Sequence, residues 1–346
     1  MHVSIAAGGL FALVLTSIAH ADQVILKNGD VLTGTVVAKR ENTLTLNTSY
    51  AGDVNINWSD IRTLETGKPV AVLLSDESYR NARFETAETG KVQLTQAITT
   101  LDVDVTDSER YGLNEILYIN PSPEESGKGY RIISRANLAF VQTSGNSTSD
   151  QLHVDGEAQL RAKTYRYTIG AEANRGSVNN VRSVSNSRLY TSYDSFFTPT
   201  KFVYVHGALE NDRFKDINLR SVVGAGYGYQ VYESETTRLS LKGGPDLVSV
   251  DRYISESERF AALGWHIDFS HKLQLIPAEA FHVQDGYRGF NSNGDILLKT
   301  RTGLRMPLSG GLTATAQLNF DWESNPAPGR ENADRQLLFG LGYTFN

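Results

Sequence analysis

Residues 312–323 read Leu-Thr-Ala-Thr-Ala-Gln-Leu-Asn-Phe-Asp-Trp-Glu, so apolar and polar side chains alternate without a break. Only an extended strand resolves a period of two into two faces. The last segment of the chain repeats this pattern, and Leu338 alone interrupts it. Its apolar positions are Leu337, Phe339, Leu341, Tyr343 and Phe345. Strands with one apolar face and one polar face, placed one after another, are typical of a transmembrane β-barrel.

About twelve such segments follow one another from Arg131 onward, and bacterial outer-membrane barrels have an even number of strands. The predicted strands cover 131–143, 150–161, 164–175, 183–196, 201–212, 218–232, 237–251, 258–271, 273–284, 294–306, 312–323 and 334–345. We therefore expect an all-β protein with an outer-membrane barrel of about twelve antiparallel strands. A soluble β-sandwich is the alternative, but a sandwich does not need an apolar face opposite charges on every strand.

Composition narrows the classes of function. The chain has 33 basic and 39 acidic residues, which argues against a nucleic-acid partner, since that would require a basic surface. It contains no cysteine, so disulfides, thiolate metal sites and a cysteine nucleophile are excluded. No cofactor or metal is predicted.

The first 21 residues form an apolar run that ends in Ala19-His20-Ala21, a small-x-small cleavage pattern. We read 1–21 as a signal peptide, with the mature chain starting at Asp22. The run is shorter than the ~20 apolar residues that a transmembrane helix needs, so a signal for export is the better interpretation. The predicted location is the outer membrane, with residues 22–119 in the periplasm.

Residues 22–119 resemble a doublet of small β units. When the segments 22–66 and 67–119 are aligned, their hydrophobic positions coincide, and each segment is similar to a small SH3-like or Sm-like barrel. The stretch 120–130 has Pro, Gly and charges without periodicity, and is predicted to be a linker before a barrel at 131–346. The doublet is either a spacer or a binding module for a periplasmic protein or peptidoglycan.

Motifs in the predicted fourth to seventh strands resemble one bacterial barrel family. They are Leu189-Tyr-Thr-Ser-Tyr-Asp194, Glu210-Asn-Asp-Arg-Phe214, Leu219-Arg220, Gly224-Ala-Gly-Tyr-Gly-Tyr229 and Thr237-Arg-Leu-Ser-Leu-Lys-Gly-Gly-Pro245, with Thr143-Ser-Gly-Asn146 earlier. This set is similar to the salt-induced outer-membrane protein family, over about 131–346. The resemblance implies a fold and a location, since no activity is established for that family. Such chains usually end on an aromatic residue that the barrel-assembly machinery recognises, whereas here Asn346 follows Phe345.

Charged residues with inward parity are the candidate functional residues, because an ionic group in lipid costs ~2–4 kcal/mol near the midplane. They are Asp155, Glu157, Arg166, Glu172, Lys242, Asp268, Lys299, Arg301, Arg305 and Asp321, and the family motifs add Asp212, Arg213, Phe214 and Arg220. We expect Asp268 and Asp321 to be counter-charges of the basic ladder on the tenth strand. The Asp212-Arg213 pair either ties a hairpin to the wall or forms a charged constriction.

The predicted function is a non-enzymatic barrel for envelope integrity or stress adaptation, with a lumen filled by charge pairs. A narrow channel for ions or small solutes is the alternative. An outer-membrane hydrolase is a third possibility, but the sequence contains no G-x-S-x-G or H-E-x-x-H motif and its histidines are scattered. The expected partners are outer-membrane lipid, lipopolysaccharide and, during biogenesis, the barrel-assembly machinery.

Overall fold

The computed structural model describes residues 21–345 except 101–102, 145–147, 235, 274 and 291–293. The predicted signal peptide therefore lies outside the described residues apart from Ala21, as do Asn146 and Asn346. No helix within the described ranges combines the length and apolar character needed to cross a membrane. The described chain forms two compact units that divide between Ser122 and Pro123, inside the predicted linker.

The N-terminal unit is a sheet of ten strands. These are β1 (Asp22–Leu26), β2 (Val31–Arg40), β3 (Thr43–Thr48), β4 (Gly52–Asn57), β5 (Ile61–Glu65), β6 (Val70–Leu74), β7 (Tyr79–Thr86), β8 (Lys91–Thr100), β9 (Val103–Gly112) and β10 (Ile116–Ile119). The strand order is β4-β3-β2-β10-β6-β7-β8-β9, and β1 pairs with β2 and β5. Single 3₁₀ turns at Trp58–Asp60 and Leu113–Glu115 precede β5 and β10.

The two predicted β units share this sheet, because β10 pairs both with β2 of the first copy and with β6 of the second. They also share one hydrophobic core, in which Leu44 and Phe84 are fully buried. The Trp58 indole is buried in the same core and donates a hydrogen bond to the carbonyl oxygen of Leu113 at 2.9 Å. Each copy alone is small, and joining them increases the apolar surface that folding buries.

Lys39 is a buried lysine in the N-terminal unit. Its ammonium donates hydrogen bonds to the carbonyl oxygens of Glu41 and Leu117 at 2.9 and 2.8 Å, and it lies 5.0 Å from the ring centroid of Trp58. Burial disfavours the charged form and lowers the pKa of Lys39 to about 8. The folded state therefore holds this charge at a cost that the unfolded chain does not bear.

The second unit is a closed barrel preceded by one helical turn, α1 (Pro123–Ser126). Its strands are β11 (Tyr130–Thr143), β12 (Ser149–Ala162), β13 (Tyr165–Val178), β14 (Val181–Phe196), β15 (Lys201–Asp212), β16 (Ile217–Glu233), β17 (Thr237–Arg252), β18 (Glu258–Lys272), β19 (Glu279–Gly289), β20 (Ile296–Pro307), β21 (Leu312–Glu323) and β22 (Ala333–Phe345). Each pairs antiparallel with its sequence neighbours, and β22 pairs with β11 to close the ring. The predicted all-β barrel of about twelve antiparallel strands is confirmed.

The alternation seen in the sequence separates the two faces of the wall. Leu337, Phe339 and Leu341 on β22 are 62%, 65% and 60% exposed on the outside, whereas Thr313 and Gln317 on the inner face of β21 are buried. Leu338, the one apolar residue at an inward position of β22 in the sequence pattern, is buried on the inside. The barrel thus carries an apolar outer surface around a polar interior.

Candidate functional site: the lumen of the barrel

All ten lumen candidates lie on strands, and their register places them with inward parity. We call the end where β11 begins and β22 ends the near end, and the opposite end the far end. In a ring of twelve strands, two strands that are five or six positions apart face one another across the lumen. This geometry distinguishes ion pairs along the wall from ion pairs that cross the interior.

The near-end layer is centred on Asp194, whose side chain is 0% exposed. One carboxylate oxygen accepts from Nε of Arg166 at 2.7 Å, and the other accepts from Nζ of Lys242 at 2.7 Å. The Arg166 guanidinium also donates to Gln230 and Ser240. Two cations and one carboxylate from β13, β14 and β17 therefore meet at this end of the lumen.

Aromatic rings complete the near-end layer. The Arg166 guanidinium lies 5.2 Å from the ring centroid of Phe202, which is fully buried, and 5.4 Å from that of Phe196. Gly228 makes room for this packing, because a Cβ at that position would overlap the Phe202 ring. Gly224 similarly leaves room for the carboxylate of Asp246. Gly224 and Gly228 thus admit a charged and a bulky side chain from other strands, whereas Gly226 allows close approach of the backbone at Gly243 and Gly244.

The middle layer crosses the lumen directly. Arg188 on β14 donates to the Asp285 carboxylate on β19 at 3.1 Å, and Nδ1 of His266 lies 2.6 Å from the other oxygen of that carboxylate. Arg301 on β20 donates to Glu172 on β13. The two arginine pairs each join strands on opposite walls.

The far-end layer is a larger network. Nζ of Lys299 on β20 is 2.8 Å from Glu210 on β15 and 2.8 Å from Asp321 on β21. Arg220 on β16 binds Glu323 on β21 at 2.8 Å and lies 3.4 Å from Glu210. Lys299 and Glu210 are each only 9% exposed, so this cross-lumen pair is shielded from solvent on both sides.

Two predicted pairings are wrong. Asp268 is not a described partner of the basic ladder: Arg301 pairs with Glu172, Arg305 pairs with Glu279, and Asp268 lines the central cavity. Asp321, the other predicted counter-charge, does bind Lys299. Asp212 does not bind Arg213 in the described chain: its carboxylate accepts from the backbone N–H groups of Phe214 and Lys215 at 2.9 and 3.1 Å, which is the local bonding that aspartate favours at a turn. Arg213 is exposed, and Phe214 is half-buried in the same turn.

Lys215, which the sequence reasoning missed, ties this hairpin to the opposite wall. Its ammonium lies 3.1 Å from Asp321 and 3.0 Å from Asp334. Other partners that were missed are Asp194, Glu210, Asp285 and Glu323. The alternation of faces could have identified two of them. Asp194 is an even number of residues from the inward Arg188 on β14, and Glu210 is an even number of residues from the inward Phe202 on β15.

A hydrogen-bonded group of mostly uncharged side chains lies next to the closure between β22 and β11, and we call it the seam cluster. His153 is bonded through its two ring nitrogens to Asn174 and Asp155 at 2.7 and 2.8 Å, and Asn137 donates to Asp155 at 2.8 Å. Gln336 on β22 donates to Asn174 at 3.4 Å. The three amides of this cluster can each both donate and accept hydrogen bonds, whereas the layers described above consist mainly of charged side chains.

The lumen also keeps a cavity of about 160 Å³, whose lining includes residues of all three layers. Arg135, Asp268 and the His206–Asp246 pair are among the residues that line it, and the histidine and carboxylate of that pair are 2.9 Å apart. Within the described ranges, no three His, Cys, Asp or Glu side chains are grouped so that they could hold a metal ion. The described hydrogen bonds of His153, His206 and His266 include no serine hydroxyl.

Solved barrels share only a weak likeness with this chain. The translocator domain of autotransporter NalP from Neisseria meningitidis is 14% identical, with 62% of this chain and 88% of that chain covered at a TM-score of 0.34. The beta domain of the Bordetella autotransporter Brka is 11% identical, with 63% and 99% covered at a TM-score of 0.29. Similarities this low carry no argument about function, and the fold rests on the strand pairing itself.

Sequence comparison gives a firmer assignment. No curated protein matches the chain. One family model matches residues 136–345, which is more than half of the chain and spans almost the whole barrel, from β11 to β22. The chain therefore belongs to the family described as "Protein of unknown function, DUF481".

Proposed function

We propose that this chain is an outer-membrane barrel whose lumen is closed by cross-lumen ion pairs, and that it serves envelope integrity or stress adaptation rather than catalysis. The observation that carries this proposal is the pair between Lys299 and Glu210, which joins opposite walls at 2.8 Å while both side chains are almost buried. A water-filled pore would instead leave such groups hydrated. Membership of the narrower salt-induced family stays a prediction.

The outer surface supports a membrane location. Large apolar side chains face outward on β22, and the charged residues of the layers described above face inward. A single outward Arg or Lys at the midplane would cost ~2–4 kcal/mol, so this separation of charge is what a lipid environment requires. With the near end in the periplasm, as in bacterial barrels, residues 22–119 would lie there as well.

The proposed partners follow from this placement. Outer-membrane lipid and lipopolysaccharide would surround the barrel, and the barrel-assembly machinery would insert it. The N-terminal unit would contact a periplasmic protein or peptidoglycan. Co-sedimentation of the purified full chain with peptidoglycan sacculi tests the last of these, because a spacer would stay in the supernatant.

A narrow channel is the second candidate, and the cavity of about 160 Å³ in the lumen favours it. The hydrolase alternative is weaker, because a serine nucleophile needs a histidine within hydrogen-bond reach and the described lumenal histidines contact amides and carboxylates instead.

Ion flux into dye-loaded proteoliposomes tests the closed lumen. We expect the wild type to be no leakier than empty vesicles. Truncating three cross-lumen cations together, Arg188→Ala, Lys299→Ala and Arg301→Ala, should create flux, whereas the exposed Arg213→Ala should not. Rapid flux through the wild type would support the channel instead. Heat modifiability on a gel confirms that each variant is folded before flux is compared.

A further inference from the structure

The seam between β11 and β22 is only partly paired. Five residue pairs join these strands, from Ser134 with Phe345 to Leu138 with Leu341. By contrast, β11 pairs with β12 along its whole length, from Tyr130 to Thr143. If the seam continued in register, Val141 would lie opposite Leu338. Among the described residues, no pairing joins the two strands from Leu138 and Leu341 toward the far end, although Gly340 still lies against Ala139.

The unpaired stretch is flanked on the outside of the wall by apolar side chains. The outward residues that flank it are large and exposed: Phe140 is 58% exposed, and Leu337 and Phe339 on the other edge are 62% and 65% exposed. An unpaired backbone N–H or C=O in hydrocarbon costs several kcal/mol, so an open edge here needs an occupant that can hydrogen-bond. A closed wall would have paired these groups.

The inner surface at the opening differs from the rest of the lumen. Ala139 and Leu338, on the two edges, are buried at inward positions, and Val141 is 49% exposed at the inward position next to them. Behind this apolar lining stands the seam cluster, in which Gln336 of β22 reaches Asn174. A molecule that entered sideways from the bilayer would meet apolar side chains first, and then the amides and the His153–Asp155 pair of the seam cluster.

We propose that the far half of this seam is a lateral binding site for a lipid-like amphiphile. The acyl chain would lie against Ala139, Val141 and Leu338, and the polar head would hydrogen-bond to the seam cluster. Ester and head-group oxygens would accept hydrogen bonds from N–H groups of the open strand edges. The charged layers that close the axial passage do not obstruct this route, because it enters through the wall.

A partner polypeptide that added a strand would also satisfy the open edges. The observations favour an amphiphile, since an apolar lining followed by a polar cluster, made of amides and one histidine–carboxylate pair, matches a molecule with an apolar and a polar part. A strand would instead present alternating side chains to both faces of the wall.

The test uses the natural absence of cysteine. Paired cysteines at Ala136 and Tyr343, which are in register, should form a disulfide on oxidation, whereas paired cysteines at Val141 and Leu338 should not, because Cα atoms more than ~7 Å apart cannot be bridged without backbone movement. If the cysteines at 141 and 338 formed a disulfide as readily as those at 136 and 343, the proposal that the seam is open would be wrong.

Binding is read out in phosphatidylcholine vesicles that contain a phospholipid with a diazirine on its acyl chain. After illumination, we expect adducts at the inward Ala139, Val141 and Leu338 as well as at outward residues. A short bifunctional thiol reagent across the Val141→Cys and Leu338→Cys pair should remove the inward adducts, while the Ala136→Cys and Tyr343→Cys disulfide should leave them. Labelling confined to outward residues would refute the site. So would a polypeptide adduct at a photoreactive residue placed at 140 in cells.

Discussion

Asp194→Asn should destabilise the barrel by about 3–5 kcal/mol, because it leaves two buried cations without their shared counter-charge. In the structure Arg166 and Lys242 each lie 2.7 Å from this carboxylate, and all three side chains are at most 9% exposed. Each pair alone would fall in this range when broken. Since both share one carboxylate, we expect the range to apply to the change as a whole and not to each pair separately.

Urea unfolding of the detergent-solubilised or vesicle-embedded barrel measures this cost. The control is Glu88→Gln in the N-terminal unit, which removes an exposed carboxylate from pairs with Lys91 and Arg110. The side chains of Glu88, Lys91 and Arg110 are 68%, 53% and 65% exposed, and such pairs are worth ~0–1 kcal/mol each. The double variant Asp194→Asn with Lys242→Met should recover part of the loss, because one unpaired charge is gone. An Asp194→Asn midpoint within error of the wild type would show that water already screens this layer, and the reasoning about a dry near end would fail.

Four further changes test separate parts of the structure. Gly228→Ala should lower the free energy of unfolding by ~1–3 kcal/mol, because the new methyl group would overlap the buried Phe202 ring. Gly207→Ala should be tolerated, since the atom nearest to its new methyl group would be 3.7 Å away. The temperature at which the folded band converts to the unfolded band on a gel compares the two variants. Leu318→Arg should impair insertion by ~2–4 kcal/mol whereas Leu318→Phe should not, and equal yields in the membrane fraction would contradict the assigned outward face. Arg301→Ala should lower barrel stability without producing conductance, since it leaves Glu172 facing a closed interior; unchanged stability together with altered ion selectivity would indicate a wet lumen. The free energy of unfolding of the N-terminal unit should rise as pH increases from about 8 toward 10.5, by at most ~1.4 kcal/mol per pH unit, because Lys39 in the unfolded chain then still binds a proton that the folded state has lost. Trp58 fluorescence in a Trp265→Phe, Trp322→Phe background measures this unfolding. Lys39→Met should abolish its dependence on pH.

The sequence predicted the barrel well because a two-residue period is a local property. On β21 and β22, with the exception of Leu338, the polarity of each residue indicates its face, so the strand bounds and the facing of Leu318 could be read without any partner strand. The sequence also predicted two small β units at 22–66 and 67–119, but not that both halves share one sheet. The shared sheet depends on β10, whose four residues contact a strand far away in the chain.

The pairing inside the lumen could not be read from the sequence. Arg301 pairs with Glu172 because strands that are distant in sequence face one another across a closed ring. The alternation of residues along a strand predicts which face a residue occupies, but not its position along the barrel axis or the residue opposite it. The ninth strand was also misplaced: the predicted segment covered 273–284, whereas β19 is Glu279–Gly289, so Asp285 lay outside the predicted strand. The inward positions of β19 are in addition mostly apolar, with Phe281, Val283 and Tyr287, so polarity did not show which face is inward. Asp212 was misassigned because a turn offers backbone donors that a charge-pair argument overlooks.

Single-channel recording of the wild-type chain in a planar bilayer tests the closed lumen most directly. The cross-lumen pairs of Lys299 with Glu210, Arg188 with Asp285 and Arg301 with Glu172 predict no conductance steps at either polarity, even though the barrel is inserted and heat-modifiable. Reproducible steps from the folded wild type, with an ion selectivity that changes on Arg301→Ala, would contradict the account and show that these side chains line a water-filled channel.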